Sequence, residues 1–148
     1  MPSERRESRT GDVSPSEAFE SLRQQSNAQL VDVRSRAEWS FVGVPDLSPI
    51  GKNAILIEWQ RWPDMAACAD FLPQLEAALK ERGLDRDAPL YFLCRSGVRS
   101  GAAAMAAAAA GFSETHNILG GFEGPTDESR HRGHVAGWKA ENLPWFQS

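Results

Sequence analysis

Cys94 stands where an apolar run, Tyr91-Phe92-Leu93, gives way to a short polar turn, Arg95-Ser96-Gly97-Val98-Arg99-Ser100, which leads into a long alanine run. That order predicts a buried strand, an anion-binding loop and a helix. A cysteine at such a junction lies beside backbone N–H groups that have no intrahelical partner, and these, with the helix dipole, favour an anion. A tight turn at Gly97 can aim successive amides of Arg95 to Ser100 at one sulfur, as in the backbone nests that bind phosphate. Thiols so placed ionise at about pH 3.5 to 7.5, against about 8.5 when free, so a nucleophilic thiolate is expected at neutral pH. Arg95 and Arg99 carry the fixed donor forks that recruit oxyanions. Alternatively they brace the loop through carboxylates, and a split is expected, with Arg95 facing substrate and Arg99 structural.

The elements that must position this loop can be read on either side of it. Ser14, Pro15 and Glu17 make a capping box ahead of a helix to about Gln25, with Ala18, Phe19 and Leu22 on one face. Leu30 to Arg34 is a short strand, and Arg36 to Val42 gives one or two helical turns. An irregular Pro- and Gly-containing connection follows, then a second strand over Ala54 to Trp59. Asp70 to Arg82 has helical apolar spacing with Pro73 in its first turn and Gly83 as its cap. Pro89 to Leu93 is the third strand. The alanine run ends at Gly111, and Thr115 to Leu119 is the fourth strand, closed by Gly120 and Gly121. Alternation of this kind predicts an α/β fold in three layers, α/β/α, whose small parallel sheet of about four to five strands is flanked by helices, with ligands beyond the carboxyl ends of the strands. The alanine run is expected to be scaffold, its small side chains letting a helix lie close to the sheet.

Composition narrows the function. A chain of 148 residues with 41% hydrophobic content fits one domain, with residues 1–12 as a flexible N-terminal segment and 13–148 as the domain. A formal charge of -4 argues against a nucleic-acid partner. No apolar stretch is long enough to span a bilayer, and residues 1–11 lack the apolar region of a signal peptide, so a soluble, cytoplasmic protein without membrane association is expected. Cys68 and Cys94 are expected to be free thiols, with Cys68 a packing residue rather than a resolving thiol. His131 and His134, near Asp127 and Glu128, are expected to lie in a solvated loop rather than to bind metal. The scattered tryptophans suit core and rim packing.

The loop Cys94-Arg95-Ser96-Gly97-Val98-Arg99-Ser100 resembles the active loop of the rhodanese-like sulfurtransferases. Leu30-Val31-Asp32-Val33-Arg34 with Glu38-Trp39 is similar to that family's opening strand and acidic-aromatic pair, and Leu119-Gly120-Gly121, Gly137-Trp138-Lys139-Ala140 and Leu143-Pro144 to its closing motifs. The resemblance covers nearly the whole chain from Ser14. It implies a rhodanese-like fold and a single-domain sulfurtransferase, with Cys94 as nucleophile, the amides of Arg95 to Ser100 as the anion nest, and neither metal nor organic cofactor. Sulfane sulfur would pass from a thiosulfate-like donor, through a Cys94 persulfide, to a thiol or cyanide, and a protein sulfur acceptor fits the same loop. It further implies that Asp32, Arg34 and Glu38 support the loop, although surface ion pairing explains them equally well. Two departures stand out. Gly43-Val44-Pro45 replaces the family's usual Gly-His-Ile, and an insertion occupies about residues 122–135, expected near the strand ends where it would shape acceptor choice.

Two other functions compete. Cysteine phosphatases and arsenate reductases also cradle an oxyanion over a thiolate, but phosphatases place their arginine after five residues, whereas four separate Cys94 from Arg99. A rhodanese-fold binding or regulatory module without turnover is the alternative from a different class, since fold does not dictate function. Retention of Cys94 weighs against it.

Overall fold

The computed structural model describes residues 9–61, 66–67 and 70–147. In chain order the elements are β1 (Arg9–Val13), α1 (Pro15–Gln24), β2 (Gln29–Asp32), α2 (Arg36–Phe41), β3 (Val44–Pro45), β4 (Ile55–Leu56), β5 (Gln60–Arg61), β6 (Ala66–Ala67), α3 (Phe71–Glu81), β7 (Leu90–Leu93), α4 (Val98–Ala109), β8 (Glu114–Ile118) and β9 (Trp145–Phe146). A five-stranded, wholly parallel sheet runs in the order β1-β8-β7-β2-β4. Two antiparallel ribbons, β3 with β9 and β5 with β6, lie outside it.

The period-2 alternation of the strands sorts their side chains into two cores. Leu90, Phe92 and Cys94 pack with Val31 and Val33 against Phe71, Leu75 and Leu79 of α3 and Ala103, Ala104 and Ala107 of α4. On the other face Leu30, Tyr91 and Leu93 meet Ala18 and Leu22 of α1, with Phe122 and Trp138. Sheet and flanking helices therefore form the expected three-layer arrangement. In α4 the buried residues are Ser100, Ala103, Ala104 and Ala107, a single helical stripe, and their small side chains let the helix lie close to the sheet. The same stripe turns the Ser100 hydroxyl inward.

α1 begins at the capping box read from the sequence, with the Ser14 and Glu17 side chains each bonded to the other's backbone. Arg9–Val13 corrects the expectation of a flexible segment through residue 12, because it pairs along the full length of β8. Its polar residues and Gly11 carry no strand alternation, and its place at a sheet edge asks for none. Residues 1–8 lie outside the described residues. The second strand is also shorter than expected, since regular pairing stops at Leu56 and the chain follows β2 only through single bonds from the Ile57 and Trp59 amides to the Asp32 and Val33 carbonyls. No helix among the described residues is long and apolar enough to cross a membrane.

Candidate active site

β7 lies between β8 and β2, and consecutive strands leave this centre in opposite directions, which opens a crevice at the strands' carboxyl ends. Cys94 is the first residue beyond β7. It is 1% exposed and sits at the floor of an open cleft of about 630 Å3, lined also by Ser35, Ala37, Glu38, Val42, Gln60, Arg95, Ser96, Val98, Arg99 and Glu123. Of the residues singled out from the sequence, Cys94, Arg95, Ser96, Val98 and Arg99 thus share one cavity. Gly97 and Ser100 touch the sulfur itself: the Gly97 amide donates to Cys94 Sγ at 3.1 Å, and Ser100 Oγ lies 3.2 Å from it.

The loop holds this shape for local reasons. Gly97 caps α4 with φ of +116°, a region unfavourable to residues with a Cβ. Having no side chain, it cannot bond the first amides of the helix, so those of Val98, Arg99 and Ser100 have neither an intrahelical acceptor nor a capping side chain. Such uncapped amides at a helix start can donate to an anion. From the other side the chain after β8 clamps the loop: the Phe122 amide bonds the Cys94 carbonyl, and the amides of Glu123 and Gly124 bond that of Arg95.

The two arginines differ in their surroundings. Arg99 is held by Glu38 through both guanidinium nitrogens, Nη1 to Oε1 at 2.7 Å and Nη2 to Oε2 at 2.9 Å. Glu38 Oε1 also accepts from the Ser35 amide in the capping box that starts α2. Burial pushes the Glu38 carboxyl up, but the hydrogen bonds from Arg99 and the Ser35 backbone outweigh it and bring it down to about 2. The bond to Glu38 in turn raises Arg99, and the nearby Cys94 and Asp32 contribute to the same direction. Arg95, by contrast, is exposed.

Asp32 and Arg34 are not a surface pair, as one reading of the sequence allowed. Both side chains are fully buried, with Arg34 Nη2 2.6 Å from Asp32 Oδ2 and 2.7 Å from the Gly43 carbonyl. The guanidinium also lies over the Phe122 ring, 4.3 Å from its centre, and so ties the end of β2 to the clamp that follows β8. The Val44-Pro45 departure has a structural outcome, since these residues form β3 and pair with β9. Of the 122–135 insertion, Glu123 lines the cleft. Beyond it the loop folds on itself, the amides of Ser129 and His131 bonding Asp127 Oδ1 and the Gly133 amide returning to the Glu123 carbonyl. Among the described residues no group of three or more His, Cys, Asp or Glu could hold a metal ion. Cys94 is a free thiol, and Cys68 lies outside the described residues.

Sequence reasoning missed Glu123, Gln60, Asn117 and Asp12. The last two reach the cysteine indirectly: Asn117 Oδ1 is 2.5 Å from Ser100 Oγ, and Asn117 Nδ2 donates to Asp12 Oδ1 at 3.2 Å. Nothing in the local pattern marks them, because they come from separate strands that meet only in the folded sheet.

A parallel sheet with helices on both faces and a cysteine loop at its central strand is the rhodanese-like arrangement, and comparison with known proteins agrees. Residues 10–148 match the family model described as STR4 middle domain. The chain is 45% identical to Rv0390 from M. tuberculosis, whose crystal structure superimposes with a TM-score of 0.83 over 95% of this chain and 100% of that one. It is 36% identical over 133 residues to an uncharacterized protein of Rickettsia conorii, covering 90% of this chain and 94% of that protein. It is also 28% identical over 137 residues to the chloroplastic rhodanese-like domain-containing protein 4 of Arabidopsis thaliana, covering 93% of this chain and 26% of that longer protein. The chain belongs to the rhodanese-like family, a family of sulfurtransferase type.

Proposed function

We propose that the protein transfers sulfane sulfur from a thiosulfate-like donor to a thiol acceptor, through a persulfide on Cys94. The observation that carries this reading is a buried cysteine sulfur on the floor of a cleft, met by the Gly97 amide and the Ser100 hydroxyl, at the start of a helix whose first amides have no capping side chain. A terminal sulfur atom is slender enough to reach a nucleophile so deeply placed. Phosphoryl transfer is disfavoured, because Arg99, the arginine that would bind a phosphate, already has its charge paired with Glu38 through both terminal nitrogens.

In the first half-reaction the Cys94 thiolate attacks the outer sulfur of the donor. The new S–S bond forms as the bond between that sulfur and the rest of the donor breaks, and the electron pair leaves with the donor, as sulfite in the case of thiosulfate. The outer sulfur of the resulting persulfide carries the negative charge, which the amides at the start of α4 can face. In the second half an acceptor thiolate or cyanide attacks this outer sulfur and Cys94 departs as thiolate. Arg95, exposed at the rim, recruits the donor's charged end.

Steady-state kinetics with thiosulfate and cyanide test the reading. Double displacement requires parallel double-reciprocal lines. Arg95→Ala is expected to raise KM for thiosulfate about tenfold with kcat little changed, the signature of binding lost equally from ground and transition states. Turnover that survives Cys94→Ser, or intersecting lines, would overturn it.

A further inference from the structure

The Ser100 hydroxyl has one proton and two claimants. Its oxygen lies 3.2 Å from Cys94 Sγ and 2.5 Å from Asn117 Oδ1. Which end of the Asn117 amide faces Ser100 follows from its other neighbour. Asp12 carries a carboxylate, which only accepts, so the amide must turn Nδ2 toward it and present Oδ1 to Ser100. The register enforces the contact, since Asp12 and Asn117 are directly paired residues of the parallel strands β1 and β8. The chain Asp12, Asn117, Ser100, Cys94 therefore runs from the exposed edge of the sheet to the buried sulfur.

From this we infer that Asp12 and Asn117 are positioning residues that govern the state of Cys94 through the single hydroxyl proton of Ser100. While Cys94 is a thiol, Ser100 donates to Asn117 and its lone pair accepts from the S–H. When the thiol loses its proton to solvent, the hydroxyl must rotate to donate to the anionic sulfur, and Asn117 Oδ1 gives up its bond. When Cys94 bears a sulfane sulfur, the charge moves to the outer atom and the hydroxyl returns to Asn117. Ser100 thus serves the inner sulfur when that atom is anionic, including at the moment it departs from the transferred sulfur, and the pull of Asn117 sets how readily the resting thiol ionises. Neither half of the cycle needs a proton to leave Ser100.

Other charges face the same sulfur and stay constant in the test. Arg95 and Arg99 from its own loop and helix, Glu38 from α2 and Glu123 from the clamp line the cleft with it, and Asp32 at the end of β2 acts on Arg99. The inference rests on Cys94 being the reacting sulfur, but its test reads ionisation of that thiol, so the two can fail separately.

The experiment is the rate of iodoacetamide alkylation from pH 5 to 10, followed by mass spectrometry on the peptide containing Cys94. Among the described residues, Asn117→Ala leaves the hydroxyl with the sulfur as its acceptor, and the midpoint of the profile is expected to fall by about one pH unit. Ser100→Ala is expected to raise it by about as much. Asp12→Ala releases the amide to turn and is expected to lower the midpoint by a smaller amount. The decisive comparison is in the Ser100→Ala background, where Asn117→Ala and Asp12→Ala are each expected to shift nothing further. A midpoint unmoved or raised by both substitutions, or the same fall without Ser100, would overturn the inference, the latter by making the effect one of direct charge. Should Asn117→Ala not fold, Asp12→Ala on the exposed edge decides it with the same pair of outcomes.

Discussion

Glu38 does two jobs with one carboxylate: it closes the capping box of α2 and it holds Arg99 beside the cysteine loop. The second job explains why two arginines in a short motif are not equivalent. A guanidinium with both terminal nitrogens on a carboxylate stiffens the loop and keeps a positive charge near the sulfur, while Arg95 stays exposed and is the residue assigned to donor recruitment in the proposed reaction. The arrangement also has a pH signature. The folded carboxyl titrates at about 2, below the ordinary value of 4.5, so its contribution to stability is complete above about pH 4.5 and is lost as the pH falls toward 2. Its partial exposure reduces that contribution to roughly 2 kcal/mol. Urea unfolding measured between pH 5 and 2 is expected to show this loss in the parent protein and a flatter profile in Glu38→Gln, which preserves the cap but not the charge. The Glu38 side chain could be suspected from the sequence by its resemblance to a family motif. Its partner could not, because Arg99 lies far along the chain and ordinary surface pairing was an equal account.

At the scale of elements, the joint between β7 and α4 works because the segment after β8 presses against it. Gly121 is the contact point. It has φ of +61°, and a Cβ there would collide with the Cys94 carbonyl oxygen and lie 2.6 Å from that of Arg95. Gly121→Ala therefore combines left-handed strain with a clash against backbone that cannot retreat. It is expected to cost about 3 kcal/mol in urea denaturation and to loosen the cysteine loop with it. Elements with strong local signals were legible: α1 announced itself by Ser14, Pro15 and Glu17, and α4 by its alanines between Gly97 and Gly111. β1 was not, because a polar edge strand has no alternation to read and its pairing with β8 is a tertiary fact. β4 was overread because Ala54 to Trp59 is apolar at every position but Glu58, yet two of its residues pair regularly while the rest drift from β2.

Across the whole molecule, the site is a meeting of distant segments around one contiguous motif. The loop from Cys94 to Ser100 could be read in advance because its residues are neighbours in sequence. Glu123, Asn117 and Asp12 could not, since they are brought to the cleft and to Ser100 by the sheet order and the fold of the chain after β8. The buried Asp32–Arg34 pair joins the end of β2 to Phe122, and Glu38 joins α2 to Arg99 of α4 within the lining of the cleft. The mouth stays open and the cysteine stays deep, which is the geometry on which the proposed sulfur transfer rests. Intact-mass spectrometry after incubation with thiosulfate tests this account most directly. It predicts a gain of one sulfur atom, about 32 Da, that cyanide removes and that Cys94→Ser lacks. An unchanged mass with Cys94 still reduced, or an adduct that persists in Cys94→Ser, would contradict it.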